Sequence, residues 1–274
     1  MSDLEEISRI DLLKQAFGEH AAAFEDNLEQ QAKAHFEAYK FKVKQQAPVY
    51  TSRAELAAKI PNFWATSLAQ CRNVAQHIDP VDEDALKHLK NVEIVHDEED
   101  VRIYDIVFTF SPKNPYFKET VLSKKVTVNP PSSISPAPPA VAAHDIDAPS
   151  YILPGTPISW TSPEHDLTKK KPRPDVEIGD KEEYDGFEPG SFFNWFSEEG
   201  EDRTSLGETL LEWYPHAAEY AAGLQNLDFD ESDDDLGAEF GFSDEESEDD
   251  DPKKEIDLSD EENKRPKKKQ KQKK

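Results

Sequence analysis

Fifty-eight carboxylates and eight histidines give this chain many groups able to carry charge or move protons, so the first question is what chemistry their spacing allows. The histidines include no HExxH pair, and none stands at zinc-binding spacing from Cys71, the only cysteine. There is no GxxxxGK[ST], GxGxxG or GxSxG run, hence no phosphate cradle and no nucleophile elbow. His35, His77, His88, His96 and His216 read as core-edge or surface residues, and Cys71 as a small buried apolar residue. Acid/base catalysis needs burial to separate the pKa values of paired carboxylates, and solvated acidic runs supply none. The residue types favour binding, with no cofactor expected.

Charge indicates what would be bound. The formal net charge is -26, so nucleic acid phosphates would be repelled and basic proteins are the fitting partners. The charge is unevenly placed. Residues 228–262 carry 19 Asp or Glu against Lys253 and Lys254, and residues 264–274 carry eight Lys or Arg. Lys264, Arg265, Pro266, Lys267, Lys268 and Lys269 form a basic run of the kind read by a nuclear import receptor, which places the protein in the nucleus. The acidic block is expected to be disordered, screening basic charge. Ser232, Ser243, Ser247 and Ser259 lie beside Asp or Glu, as acidophilic kinases prefer. A lone cysteine suits a reducing compartment, and the absence of a long apolar run or a basic-flanked apolar N-terminus predicts a soluble chain without a membrane span.

The elements that position these groups are legible as periodicity. Ile10, Leu13, Phe17, Ala21, Phe24, Leu28, Ala32, Phe36, Tyr39 and Val43 recur at steps of three or four, predicting one helix. A capping box at Ser2 and Glu5 and a stop at Pro48 would give it about 40 residues and about 60 Å. Such a stripe needs an equally long cover, and a second copy of the same helix is the simplest one, through Leu13, Phe17, Ala21, Phe24, Leu28, Phe36 and Tyr39. Ser52 and Glu55 suggest a second capping box, Pro61 and Asn62 a helix boundary, and Asp79 or Asp82 the cap of a short helix. Residues 92–110 read as a hairpin about an acidic turn, and residues 116–128 as a third strand. Residues 129–157 read as an extended, mobile Pro/Ala-rich insertion, and Ile158 with Trp160 as a fourth strand. SFFNWF opens an apolar helix, and a last helix spans about 205–222, tolerating Pro215. Helices, antiparallel strands and helices in that order define an α+β fold.

Six stretches carry a resemblance: IPNFWATSL (60–68), DEDALKHLKNVEIV (82–95), NPYFKETVLSKKV (114–126), ISWT with DLT (158–161 and 166–168), SFFNWF (191–196) and LGETLLEWYPHAAEYAAG (206–223). In this order they resemble the nucleosome assembly protein family, in its shorter SET-type branch. The resemblance implies a long dimerisation helix (1–48), an earmuff α+β domain with an antiparallel sheet flanked by helices (49–227), and an acidic tail (228–274). It further implies a homodimeric histone chaperone that receives core histones in an acidic concavity and, as in fungal members, presents them to a histone acetyltransferase. The alternative is a SET-like regulator that inhibits or scaffolds an enzyme such as a phosphatase. Candidate histone contacts are Glu177, Asp180, Glu182, Glu183, Asp185 and Glu188 before SFFNWF; Glu198, Glu199, Glu201 and Asp202 after it; and Asp233, Asp234, Asp235, Asp249, Asp250 and Asp251 in the tail. The insertion is longer than the family's usual connection, and the accessory segments of larger members are missing.

Overall fold

The helical spacing that starts at Ile10 runs into Gly18, whose φ of +54° lies in the left-handed region that glycine adopts without a Cβ clash. In the computed structural model, which describes residues 9–134, 142–174 and 190–224, the chain breaks there into α1 (Arg9–Phe17) and α2 (Ala21–Ala57), joined by one 3-10 turn. The single helix expected from the stripe is thus two. α1 packs against α2, with the Phe17 and Phe24 rings stacked at 4.3 Å and Ala21 buried. Ser2 and Glu5 lie outside the described residues.

Pro48 does not stop the second helix. It removes one intrahelical N–H, yet α2 continues through it to Ala57, because Tyr50 and Ala57 pack on the domain core beyond it. The Thr51 hydroxyl donates to the Ala47 carbonyl at 3.1 Å within this stretch. Ser52 and Glu55 therefore sit inside a helix and not at the start of one. The next helix, α3 (Phe63–Gln70), begins after Asn62 as the sequence suggests, and is followed by α4 (Arg72–Ala75) and α5 (Glu83–Leu86).

Alternating side chains then build an antiparallel five-stranded sheet in chain order: β1 (Leu89–His96), β2 (Tyr104–Phe110), β3 (Val121–Thr127), β4 (Tyr151–Ile152) and β5 (Gly200–Glu201). Tyr104, Ile106, Phe108 and Phe110 form the buried face of β2, and Phe108 stands opposite Val92 and Leu122. Two expectations about strands fail. Trp160 makes only an isolated bridge to Phe117, and the fourth strand comes from Tyr151–Ile152, inside the segment read as a mobile insertion. The apolar pair Tyr151 and Ile152 is buried, which a solvent loop would not achieve. The fifth strand, Gly200–Glu201, follows it.

The core lies between the sheet and the helices α3 and α7 (Leu206–Trp213), with the short helix α6 (Leu167–Lys170) near the 3-10 segment Phe192–Ser197. SFFNWF adopts this 3-10 form, which buries Phe192, Phe193, Trp195 and Phe196 together. Pro215 divides the last helix into α7, a 3-10 turn and α8 (Ala217–Ala221). Asp202 starts α7 by accepting the Gly207 N–H at 2.7 Å.

Asp82 was expected to cap a helix with its side chain. It precedes α5 but is fully buried and reaches across the fold, accepting from Ser191 Oγ at 2.5 Å, Phe192 N at 2.8 Å and Asp79 N at 3.0 Å. Burial raises its pKa, and these three donors act against that rise. Replacing Asp82 by Ala strands all three, and should destabilise the protein by about 3 kcal/mol in urea unfolding; a loss below about 1 kcal/mol would contradict this role.

Candidate functional site

Between α2, β1 and the α7–α8 segment the fold leaves an open groove of about 1280 Å³. Its two walls differ in charge. Lys40, Lys42 and Lys44 of α2 stand on one side; Glu93, Asp97 and Glu98 of β1 and its turn, with Glu212 of α7, stand on the other. Tyr39, Tyr50 and Tyr214 supply aromatic surface, and His96 and His216 supply imidazoles. All four carboxylate residues are exposed.

The carboxylate wall extends beyond the groove along α7. Glu208 and Glu212, four residues apart, project from one face of the helix. Burial raises the pKa of Tyr104, and the Glu208, Asp202 and Glu212 carboxylates near its hydroxyl raise it further. Glu208 also accepts from the Ser150 hydroxyl at 2.7 Å.

The candidates from sequence divide into free and engaged groups. Glu199 and Glu201 are exposed and make no ion pair among the described residues, whereas Glu198 binds Arg173 and Asp202 holds the start of α7. A carboxylate already bound in the fold offers less to a partner, so Glu198 and Asp202 act first as structural groups. Glu177, Asp180, Glu182, Glu183, Asp185, Glu188, Asp233, Asp234, Asp235, Asp249, Asp250 and Asp251 lie outside the described residues, as do Lys264 to Lys269 and the four tail serines. Glu93, Asp97, Glu98, Glu208 and Glu212 were missed. The acidic turn was visible as DEED (97–100), but nothing in the sequence brings it beside α7. Within that turn, Asp97 accepts from the Glu99 and Asp100 amides, and Asp100 pairs with Arg102 at 2.7 Å, leaving Glu98 and Glu99 as its free acids.

The helix residues assigned to a partner also divide. Phe36 is buried within the protomer, with the His144 ring 5.5 Å and the Arg102 guanidinium 5.6 Å from its ring, and Tyr39 faces His96 at 6.0 Å. Ala21 lies under α1, while Leu13 and Leu28 are half-buried. Phe17 and Phe24 remain uncovered, together with Val49 and Leu56, which the reading from spacing did not select.

One pairing superficially suggests a nucleophile: Thr161 Oγ1 lies 2.7 Å from His165 Nδ1. The hydroxyl donates to the Pro115 carbonyl at 2.5 Å, so it accepts from the imidazole and is not activated by it. Among the described residues no His, Cys, Asp and Glu side chains form a metal-holding group, and no helix is long and apolar enough to cross a membrane.

The family model described as nucleosome assembly protein (NAP) matches residues 14–236. The chain belongs to the nucleosome assembly protein family. Human protein SETSIP is 33% identical over 168 residues, 60% of this chain and 48% of that protein; protein SET of Drosophila melanogaster is 32% identical over 151 residues, 55% and 50%. The chain thus spans about half the length of the curated relatives it matches. Among solved structures, Ccp1 is similar with a TM-score of 0.55 at 24% identity, over 78% of this chain and 100% of that one. Nucleosome assembly protein S from Plasmodium falciparum gives 0.50 at 22%, over 76% and 98%. These likenesses establish the family fold: a long helix followed by an antiparallel sheet with helices.

Within this family fold the buried His77 and the half-buried His96 predict acid sensitivity. Burial lowers the pKa of both His77 and His96; Arg173 lowers His77 further, while the bond His96 Nδ1–H donates to the Val101 carbonyl partly restores His96. The unfolded chain binds these protons from pH 6.5 downward and the folded chain resists them, so stability is lost as pH falls below about 6.5. The urea midpoint should fall between pH 7.5 and 5.5, and His96→Gln should flatten that slope; an unchanged slope would exclude His96 as a source.

Proposed function

We propose that this protein is a histone chaperone that binds core histones and assists nucleosome assembly as a binding protein, not an enzyme. The observation that carries this reading is the carboxylate wall formed by Glu93, Asp97, Glu98 and Glu212 on one side of an open groove, continued by Glu208 on α7. A shaped wall of fixed carboxylates suits a folded basic partner, whereas a loose polyanion lacks geometry. Family membership supports histones as that partner. On this reading the acidic segment 228–262 adds capture and screening, and Lys264 to Lys269 direct import to the nucleus through a transport receptor. Presentation of the histones to a histone acetyltransferase is part of the same proposal.

The wall is tested by replacing Glu98, Glu208 and Glu212 with Gln together. Affinity for H3–H4 at moderate salt should drop about three- to tenfold, about 1 kcal/mol, with residual binding at roughly 0.3 M salt. Unchanged affinity would remove the wall from the site.

We further propose a homodimer formed along α2 through Phe24, Val49 and Leu56, with Phe17 at the end of α1 beside them. Phe24, Val49 and Leu56 are 46%, 61% and 58% exposed, a state that pairing with a second copy would relieve. Phe24→Glu combined with Leu56→Glu should yield a folded monomer in sedimentation at micromolar concentration. Phe36→Ala should instead lower protomer stability by about 3 kcal/mol and leave the dimer in place. A dimer that survives the double Glu variant would place the interface elsewhere.

A further inference from the structure

β3 presents Leu122, Lys124 and Val126 to the core in strict alternation, so a lysine occupies a position where the pattern calls for an apolar residue. Lys124 is completely buried. Its stem runs beneath Gly155, where a Cβ would meet the Ser123 carbonyl at 2.5 Å and Lys124 Cδ at 3.2 Å, so only glycine lets the chain pass so closely. Its ammonium lies 5.5 Å from the Trp195 ring centre and donates to the Glu198 carbonyl. The Gly155 amide donates to the Phe196 carbonyl at 2.8 Å, a second tether to the same segment.

Beyond that segment comes the acidic turn. The charges of the Glu198, Asp202 and Glu199 carboxylates act on the Lys124 ammonium; Arg173 holds the Glu198 carboxylate, and the buried His77 feels the charges of Arg173 and Asp202. Burial pushes Lys124 down to about 8, while those three carboxylates pull it back up. A buried cation of this kind does not recommend itself as a stabiliser, since an apolar residue of similar volume commonly serves the fold as well or better.

We propose that Lys124 is the positioning residue of the acidic turn at Glu198–Glu199 that leads into β5 (Gly200–Glu201): its ammonium, fixed under the turn, holds the backbone at Glu198 so that Glu199 and Glu201 face solvent. The consequence for partner binding rests on the histone-chaperone reading, but the positioning itself does not.

Two pH effects of opposite sign follow. The unfolded amine keeps its proton to 10.5 and the folded one only to about 8, so between these values the fold gains stability as pH rises. Over the same range the neutral amine binds the Glu198 carbonyl less strongly, and the turn loosens.

The test is amide hydrogen exchange of the full-length, histone-free protein over residues 197–204, corrected for intrinsic rates, from pH 6.5 to 9.5. In the wild type, protection should fall at least threefold as pH passes about 8 while the melting temperature does not drop. Lys124→Met, which keeps the stem and removes the ammonium, should exchange this segment about tenfold faster at pH 7, with a flat pH profile and a melting temperature equal to or above wild type. A flat wild-type profile overturns the proposal even if the variant fails to fold, and so does a step near pH 8 that persists in Lys124→Met. Affinity for H3–H4 is measured separately and should fall about threefold in Lys124→Met. Faster exchange with unchanged affinity would uphold the positioning role and remove the turn from the histone-binding surface.

Discussion

The length of α2 is the constraint on which the rest depends. At 37 residues it spans about 55 Å, more than the domain beside it can cover, so one part is bound to the domain and another is left open. The bound part is fixed by Arg53, whose guanidinium lies 4.5 Å from the Tyr50 ring centre and 4.3 Å from that of Tyr214 while donating to the Tyr214 and Pro215 carbonyls. A planar cation between two rings holds both orientation and distance, which a lysine would not. The helix is thereby held at a stand-off from β1, and the groove is the space that remains. Its two walls inherit their opposite charge from the elements that form them.

The sequence made the α+β class, the β2 face and the order of the family stretches legible because each rests on local periodicity. Departures occurred where tertiary contact outweighed a local rule. Pro48 is a poor helix residue, but the burial gained by Tyr50 and Ala57 exceeds what its missing hydrogen bond removes. Gly18 falls inside the apolar stripe yet breaks the helix, because the positive φ lets α1 fold onto α2. Tyr151 and Ile152 were hidden by the prolines around them, although two large apolar residues in a row are what a short buried strand needs.

The site was less legible than the fold, since counting charges does not show where they converge. Glu98 and Glu212 are separated by more of the chain than any spacing rule covers, and only the antiparallel turn of β1 and the placement of α7 bring them to one wall. Conversely, Asp202 and Glu198 lie in a run that reads as uniformly acidic, yet one holds a helix start and the other an arginine. Carboxylates half-buried in such contacts are fixed parts of the fold, and those that stay exposed, Glu98 and Glu212 among them, are what a basic surface meets.

The cations complete this division of labour. Arg102 pairs with Asp100 and donates to the Ala142 and Asp145 carbonyls at 2.8 and 3.0 Å, so it joins the β1–β2 turn to residues 142–145 over Phe36. Arg53 joins α2 to the α7–α8 turn, and Lys124 joins β3 to the acidic turn. Each binds main-chain carbonyls at a junction between segments distant in sequence. Cations used in this way neutralise few side-chain acids, so the domain keeps free carboxylates on its surface while its interior junctions stay fixed. The same economy explains why the α2 lysines matter. They confine the acidic field to one wall of the groove, giving an approaching basic protein an orientation as well as an attraction.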